Sequence, residues 1–285
     1  AYCVLYSTAL QTHGPAAIWS NIPRYLLSDY FSQMTFSVAL ASIGFVPFIF
    51  GLFVFHAHFT ERRHSPVWEV VCAVFVIGIL FITRIIPIDF ALSLLGSGAA
   101  LLLGRGYYLF SKRFHQTKIS YLATGMHILL ITLFILTSVL SSVVSADVHL
   151  SRSYQSEDFE ALLFINKNTP QHSVVLGLPE EGSIIQYVAN RSTVMDSNYL
   201  LAPEVDTRYY DTQRMFISPV YIEAIELLES YDVSYVYLSS RARFHYGISD
   251  LRYARNNECF AKVFENTAAT IYQRNPECKV TTIER

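Results

Sequence analysis

The chain has 285 residues and a formal net charge of −2, with 52% hydrophobic and only 15% charged residues, whereas about 25% of residues are charged in an ordinary soluble domain. This near-neutral balance, without a basic stripe, argues against a nucleic-acid partner. The apolar residues concentrate between positions 35 and 145, which indicates a membrane region followed by a water-exposed domain.

The first ten residues, Ala1–Leu10, are uncharged and too short to span a bilayer. They resemble the end of a helix that begins upstream, so we expect the chain to be the later part of a longer protein. Residues 1–34 also contain side chains that favour the headgroup level of a membrane, which predicts an extracytoplasmic interfacial segment. These side chains are Trp19, Tyr25, Leu26, Leu27, Tyr30 and Phe31.

Four apolar stretches follow, and a helix needs about 20 such residues to cross a bilayer. The second stretch has Arg84 near its outer end, and the third contains small residues, among them Gly96 and Gly98, that let neighbouring helices approach closely. The sequence therefore predicts a four-helix transmembrane region. The predicted spans are Thr35–Phe55, Val67–Ile86, Phe90–Leu103 and Tyr121–Ser145.

Two of the connecting loops, 56–66 and 104–120, carry six basic residues, and the positive-inside rule places both loops in the cytoplasm. These residues are Arg62, Arg63, Arg105, Lys112, Arg113 and Lys118. The predicted organisation is a multi-pass α-helical membrane protein in contact with the lipid bilayer. It has an extracytoplasmic interfacial segment (1–34), a transmembrane region (35–145) and a small extracytoplasmic α/β domain (146–285).

Strands alternate with helices after residue 145, which predicts a small parallel sheet, and the chain then ends in a β-hairpin. The predicted helices are Glu157–Lys167, Glu180–Val188 and Tyr221–Ser230, and the predicted strands are Ser173–Leu178, Ser192–Met195 and Ser234–Leu238, with hairpin strands Phe260–Glu265 and Ala269–Gln273. Cys259 and Cys278 flank the hairpin, where antiparallel pairing would bring them close together. We therefore predict a disulfide between them, because an extracytoplasmic domain lies in an oxidising compartment.

Acidic residues mark the predicted carboxyl ends of two strands. Glu180 and Glu181 follow the first strand, and Asp196 follows the second. Ligands commonly bind at this edge of a parallel sheet, so these carboxylates are candidates for the acceptor side of a site. Acidic residues at a helix start are also ordinary complements of the helix dipole, and that alternative stays open.

The sequence predicts no metal site. His56, His58 and His64 cluster in one loop, but their spacing fits no standard zinc pattern and no Cys accompanies them. The α/β domain contains no Gly-rich phosphate loop and no serine-elbow motif. We therefore do not expect this domain to be catalytic by itself.

Several short motifs resemble those of membrane glycosyltransferases of the GT-C superfamily, in particular the archaeal oligosaccharyltransferases. They are Asn168-Thr169-Pro170 before the Val174-Val175-Leu176 strand, Glu181-Gly182, Asn190-Arg191, the strand segment Tyr231–Tyr237, and Arg84-Ile85-Ile86-Pro87. One position departs from the pattern, because Gly177–Glu181 stands where the oligosaccharyltransferases carry Trp-Trp-Asp. The resemblance therefore does not extend to recognition of an Asn-x-Ser/Thr acceptor.

The resemblance implies a glycosyltransferase that takes a sugar from a polyprenyl-phosphate donor at the outer membrane face. Arg84 would bind the lipid phosphate through its planar fork; the alternatives are an interfacial anchor or an ion pair with Asp89. The superfamily's catalytic carboxylates lie in a first external loop that is missing here, so catalytic residues are not assigned and we expect no activity from this chain alone. In the full-length enzyme, a carboxylate of that loop would act as a base or as a ligand of a divalent metal.

The acceptor is left open as a glycan, lipid or protein. The competing hypothesis is a non-enzymatic membrane protein whose extracytoplasmic domain binds a ligand or partner. Paired acidic residues after a first transmembrane helix, upstream of this sequence, would favour the enzyme.

Overall fold

The computed structural model describes residues 2–32, 34–61, 67–118, 120–140, 142–143, 146, 153–255 and 259–278. The chain forms two compact units. The helical unit is Leu26–Ser151, and the α/β unit combines Ala1–Tyr25 with Arg152–Arg285. The predicted domain boundaries at 34/35 and 145/146, and the interfacial placement of residues 1–34, stay predictions.

The chain begins with α1 (Tyr2–His13), a 3₁₀ turn (Gly14–Trp19) and α2 (Arg24–Ser28). Apolar helices then occupy all four predicted stretches of the helical unit. The first stretch contains α3 (Phe36–Ile43) and α4 (Phe45–Glu61), the second α5 (Val67–Ile82) and the third α6 (Ile88–His115). The fourth begins with a 3₁₀ turn (Ser120–Leu122), followed by α7 (Ala123–Phe134) and a π-helical turn (Ile135–Val139).

The first predicted span is broken at Gly44, where α3 and α4 meet at 85°. Gly44 has φ +91°, a backbone conformation that side-chain-bearing residues rarely adopt. Pro47 lies in the first turn of the second piece, where a missing N–H costs nothing. The sequence predicted a single helix over Thr35–Phe55, and the structure instead has two helices that meet at Gly44.

The number of spans is only partly supported. Among the described residues, α6 is the one helix long and apolar enough to cross a membrane, and the bent pair α3–α4 adds a second if it counts as one span. Two further apolar helices, Val67–Ile82 and Ala123–Val139, are shorter. The multi-pass topology and the extracytoplasmic orientation of the α/β unit therefore remain predictions.

The α/β unit is built on one five-stranded sheet with the order β2-β1-β3-β5-β4. Its first three strands are parallel and the terminal hairpin is antiparallel, with Tyr237 opposite Ile271 where the hairpin joins the third strand. The predicted parallel sheet and hairpin are thus one mixed sheet. The strands are β1 (Val174–Leu176), β2 (Ser192–Thr193), β3 (Val233–Ser239), β4 (Phe260–Glu265) and β5 (Ala269–Arg274).

Helices cover both faces of this sheet. Helix α8 (Ser156–Asn168) packs with the π-helical turn Ile185–Ala189 against the face that carries Val175 and Tyr237. On the other face, Leu176 and Val236 pack against three helices. Those helices are α10 (Val205–Ile217), α11 (Tyr221–Ser230) and α12 (Ser240–Tyr246).

Most predicted elements of the α/β unit are present within one residue of their predicted ends, and α11 has the predicted bounds. Three predicted elements differ, and α10 and α12 were not predicted. The helix predicted over Glu180–Val188 is α9 (Pro179–Ile184) followed by the π turn, strand β1 ends at Leu176 instead of Leu178, and strand β2 ends at Thr193 instead of Met195. Helix α12 begins directly after β3, capped by the Ser239 hydroxyl, which accepts from the Ala242 amide.

Residues 2–25 belong to the α/β unit through polar contacts. The buried Asn21 side chain donates to the carbonyls of Tyr199 and Ala202, at 2.9 and 3.0 Å. The Arg24 amide donates to an Asp206 carboxylate oxygen at 2.6 Å. The N-terminal segment is therefore tied to the region that follows β2.

The structure pairs Cys259 with Cys278, whose Cα atoms are 5.5 Å apart. The Asn275 amide also donates to the Cys259 carbonyl at 2.8 Å, which closes the same end of the hairpin. A loop of about 20 residues closed in this way stabilises a fold by roughly 3 kcal/mol in the chain-entropy model. We expect a non-reduced digest to yield the two cysteine peptides as one cross-linked species by mass spectrometry. Complete alkylation of both thiols without reductant would contradict the disulfide and weaken the predicted extracytoplasmic placement.

Candidate functional site

The carboxyl edge of the parallel strands brings together loops from three parts of the sequence. Glu180 and Glu181 follow β1, Asp196 follows β2, and Arg241 follows β3. Because β1, β2 and β3 run in the same direction, their following loops must meet at one edge. A side chain at Gly182 would place its Cβ 2.4 Å from the Met195 carbonyl oxygen, so glycine is required for the first two loops to pack.

Glu181 is completely buried in a charged network. The Arg241 guanidinium donates from Nε to Glu181 Oε1 at 2.8 Å, and its Nη2 lies 3.1 Å from Asp158 Oδ1. The Tyr154 ring stacks on the same guanidinium, 3.7 Å from ring centroid to Cζ. Burial raises the pKa of Glu181, while Arg241 counteracts part of that rise. The structure therefore gives Glu181 partners inside the fold and leaves Glu180 as the exposed carboxylate of the pair.

The Glu180 carboxylate acts electrostatically on three tyrosines, whose positions were not predicted. Tyr199 lies in a 3₁₀ turn (Tyr199–Leu201) after β2, Tyr209 on α10 and Tyr246 at the end of α12. Burial raises the pKa of all three phenols, and the Glu180 carboxylate raises each further; for Tyr209 the pKa reaches about 12. Within the described ranges, none of the three hydroxyl groups has a protein hydrogen-bond partner. We call Glu180 and these three residues the tyrosine cluster.

Asp196 has local partners. Its Oδ1 accepts from the Asn198 amide at 2.9 Å, and its Oδ2 accepts from the Gln186 side chain at 3.1 Å. Both bonds hold the loop after β2 in place. The structure thus brings Asp196 to the same edge as Glu180 and gives it a role in shaping that edge.

Arg191 belongs to the Asn190-Arg191 motif, but its structural role was not predicted from the sequence. It is only 7% exposed, and all its acceptors are neutral. The guanidinium donates five hydrogen bonds of 2.6–3.2 Å, two of them to backbone carbonyls at the end of α8, those of Asn166 and Thr169. The positive charge also faces the negative end of the helix dipole. The Asn-Thr-Pro and Asn-Arg motifs therefore form one hydrogen-bonded unit, in which Arg191 joins α8 to the start of β2.

Arg84 lies in the helical unit, just after α5. Its amide donates to the Phe81 carbonyl and the Ile85 amide to the Leu80 carbonyl, both at 3.0 Å, so Arg84 occupies the left-handed position that ends many helices. Its φ is +60°, where glycine is the usual residue. One Nη1 donates to the Leu27 carbonyl at 2.8 Å, and the Phe31 ring lies 5.3 Å from the guanidinium.

Among the described residues, no ion pair joins Arg84 to Asp89, which lies in the first turn of α6. No three His, Cys, Asp or Glu side chains in those ranges come together as metal ligands. His56 lies in α4, whereas the side chain of His58 and all of His64 are outside the described residues.

Comparison with known proteins supports the fold but not a specific activity. No protein-family model and no curated protein sequence matches this chain. The solved oligosaccharyltransferase of Archaeoglobus fulgidus in its apo form matches 81% of this chain, with 15% identity and a TM-score of 0.51. The chain shares its fold with part of an archaeal oligosaccharyltransferase.

A second structure of that enzyme, tethered with an acceptor peptide containing an NVT sequon, matches 80% of this chain with 14% identity and a TM-score of 0.50. The present chain spans 32% of the length of each of these proteins. The resemblance to archaeal oligosaccharyltransferases that the sequence indicated is thus confirmed for the fold.

Proposed function

We propose that the chain is the donor- and acceptor-binding part of a GT-C-type glycosyltransferase that uses a polyprenyl-phosphate-linked sugar at the outer membrane face. The fold shared with archaeal oligosaccharyltransferases supports this proposal. The superfamily resemblance assigns the catalytic carboxylates to a first external loop that corresponds to no segment of this sequence. The helical unit would bind the lipid donor, and the exposed Glu180 at the carboxyl edge would face the acceptor.

The conformation of Arg84 is the observation that supports the donor site most directly. A non-glycine residue in the left-handed region costs roughly 1 kcal/mol or more, and glycine would end α5 without this cost. An arginine is therefore placed where backbone energetics favour another residue. Among the described residues, the Arg84 guanidinium donates one hydrogen bond, to the Leu27 carbonyl, so its remaining N–H groups form a fork that could bind two phosphate oxygens.

The Arg84→Gly variant distinguishes a phosphate-binding role of Arg84 from a purely structural role at the end of α5. We expect the variant to be as stable as the unaltered chain, or more stable by about 1 kcal/mol, because the backbone strain is relieved. We also expect its affinity for a short-chain polyprenyl phosphate to fall at least about tenfold, as the phosphate contacts are lost. Native mass spectrometry in nanodiscs measures the binding, and thermal unfolding measures the stability.

Two further variants sharpen the test. Arg84→Lys keeps the charge but loses the planar fork, so its binding should be intermediate. Arg105→Ala removes an exposed cation of α6 and should leave binding unchanged. Normal binding by Arg84→Gly would refute the donor role. In the complete protein, release of polyprenyl phosphate from a sugar-loaded carrier should slow in Arg84→Gly in the same proportion.

A further inference from the structure

The C-terminal end of α6 is strongly basic. Residues 104–118 contain four Arg and Lys and no Asp or Glu, and they outnumber Glu61 and Glu69 at the adjoining ends of α4 and α5. Within the described ranges, no carboxylate forms an ion pair with the exposed Arg105 or Lys112. The helix dipole attracts cations only to the last turn of a helix. It therefore does not account for Arg105, which lies ten residues before the end of α6.

The basic residues share one face of the helix. Positions three or four residues apart lie on the same side of a helix, so one line along α6 joins Leu101 to four further residues. These four, Arg105, Tyr108, Lys112 and His115, are all exposed, and we call them the basic face. The Arg105 guanidinium lies 5.5 Å from the centroid of the Tyr108 ring, and Leu101, one turn earlier, is 71% exposed. This exposed line therefore changes from apolar to basic just after Leu101.

The adjacent sides of α6 contact other helices of the same unit. On one side, the Ser111 hydroxyl oxygen lies 3.4 Å from Nε2 of His127 on α7. On the other side, the Arg113 guanidinium lies 5.2 Å from the centroid of the Phe53 ring on α4. Lys112 points between these two directions, because successive helical residues are about 100° apart around the axis. The basic face is therefore the side of this helix end that α4 and α7 leave open.

We propose that the basic face binds the headgroup of an anionic phospholipid of the bilayer. Helix α6 is long and apolar enough to cross a membrane, and basic residues next to a span attract anionic lipids. The phosphate would contact Arg105 as a fork and Lys112 as a point charge, while the acyl chains lie along the apolar line that ends at Leu101. A soluble anion would gain nothing from that apolar line, which is why a lipid is the ligand that fits.

This lipid site is separate from the proposed donor site. Arg84 lies four residues before the start of α6 at Ile88. Lys112 lies 24 residues after Ile88, which corresponds to about 36 Å at 1.5 Å per residue. One headgroup therefore cannot contact both Arg84 and Lys112. The inference requires that α6 cross the bilayer, but it does not depend on transferase activity.

The test is native mass spectrometry of the full chain in detergent micelles with added dioleoyl phosphatidylglycerol or dioleoyl phosphatidylcholine. We expect the anionic phosphatidylglycerol to bind at least about tenfold more tightly. Arg105→Gln and Lys112→Gln should each weaken phosphatidylglycerol binding about fivefold, as expected for one cation beside an anionic headgroup. Binding of phosphatidylcholine should stay the same in both variants, which also shows that they remain folded.

Arg113→Gln is the matched control, because Arg113 is the next residue of the same turn but faces Phe53. It should change phosphatidylglycerol binding less than about twofold. Equal losses in Lys112→Gln and Arg113→Gln would indicate general attraction to negative charge and would overturn the site. Equal binding of the two lipids, or displacement of phosphatidylglycerol by an equal concentration of inorganic phosphate, would overturn it as well.

The donor experiment remains a separate readout. In nanodiscs, where bilayer phospholipids cover the basic face, Lys112→Gln should bind polyprenyl phosphate as the unaltered chain does, whereas Arg84→Gly should not. Failure of the Arg84 test would leave the phospholipid site standing, and loss of the phospholipid site would leave the donor site standing.

Discussion

Replacing Arg191 with alanine is expected to lower the free energy of unfolding of the α/β unit by at least about 3 kcal/mol. The five hydrogen bonds of this buried guanidinium would be lost. Hydrogen bonds to charged groups contribute about 1.5–3 kcal/mol each, and buried carbonyls left unpaired add a further penalty. Arg191→Lys should rescue little, because an ammonium group cannot reach acceptors on both sides as a planar fork does.

Hydrogen exchange of the β1 and β3 amides in the full chain measures this effect locally. A loss of about 3 kcal/mol corresponds to roughly 100-fold faster exchange of the most protected amides. The control is Arg252→Ala, an exposed arginine of the same unit, which should change stability by less than about 0.5 kcal/mol. Equal exchange in the Arg191 and Arg252 variants would show that Arg191 does not hold α8 against β2.

Replacing Arg241 with alanine is expected to cost about 3–5 kcal/mol, because it leaves two carboxylates buried without their cation. The side chains of Glu181 and Asp158 are 0% and 3% exposed. The double variant Arg241→Ala with Glu181→Gln should recover part of the loss, since only one buried charge then remains. Thermal unfolding of the single and double variants gives the coupling energy, and additive losses would contradict the network.

The same network predicts a pH dependence of stability. Burial raises the folded-state pKa of Glu181 above its ordinary value of 4.5. A carboxyl group with a raised pKa favours the folded state fully below its unfolded pKa, and this contribution is lost as pH rises through the folded pKa. Because Arg241 lowers the pKa of Glu181, removing Arg241 raises the folded-state pKa of Glu181 further. The pH range over which this group changes the stability then becomes wider. The deficit of Arg241→Ala should therefore be smaller at pH 5 than at pH 8, and Glu181→Gln should flatten the dependence.

The elements that the sequence predicted well are those with a strong local signal. Helix α11 has an amphipathic run, and the strand around Val236 is a continuous apolar segment bounded by polar residues. Helix α10 was missed because its sequence is polar, with tyrosines and charged residues filling most positions. Only tertiary contacts of Met215 and Phe216 with the sheet explain why it forms.

The candidate site likewise has features that the sequence could predict and features that depend on tertiary contacts. The carboxylates Glu180 and Asp196 could be placed at one edge from strand order alone. Their roles could not, because one exposed and one buried glutamate are adjacent in sequence. The tyrosines of the cluster come from segments up to 47 residues apart (Tyr199 to Tyr246), with no spacing pattern that links them. The hydrogen bonds of Arg191 likewise could not be predicted, because they depend on where the C-terminal turn of α8 lies, and the sequence does not give that position.

The bonds from Asn21 to Tyr199 and Ala202 have a consequence for the time course of folding. Their partners lie 178 and 181 residues further along the chain. At a synthesis rate of about 5–20 residues per second, Asn21 waits roughly 10–35 s for its acceptors to be made. The whole helical unit is synthesised in that interval. The N-terminal segment must therefore remain undocked while the helical unit is synthesised, so this part of the α/β unit folds only after the rest of that unit has been made.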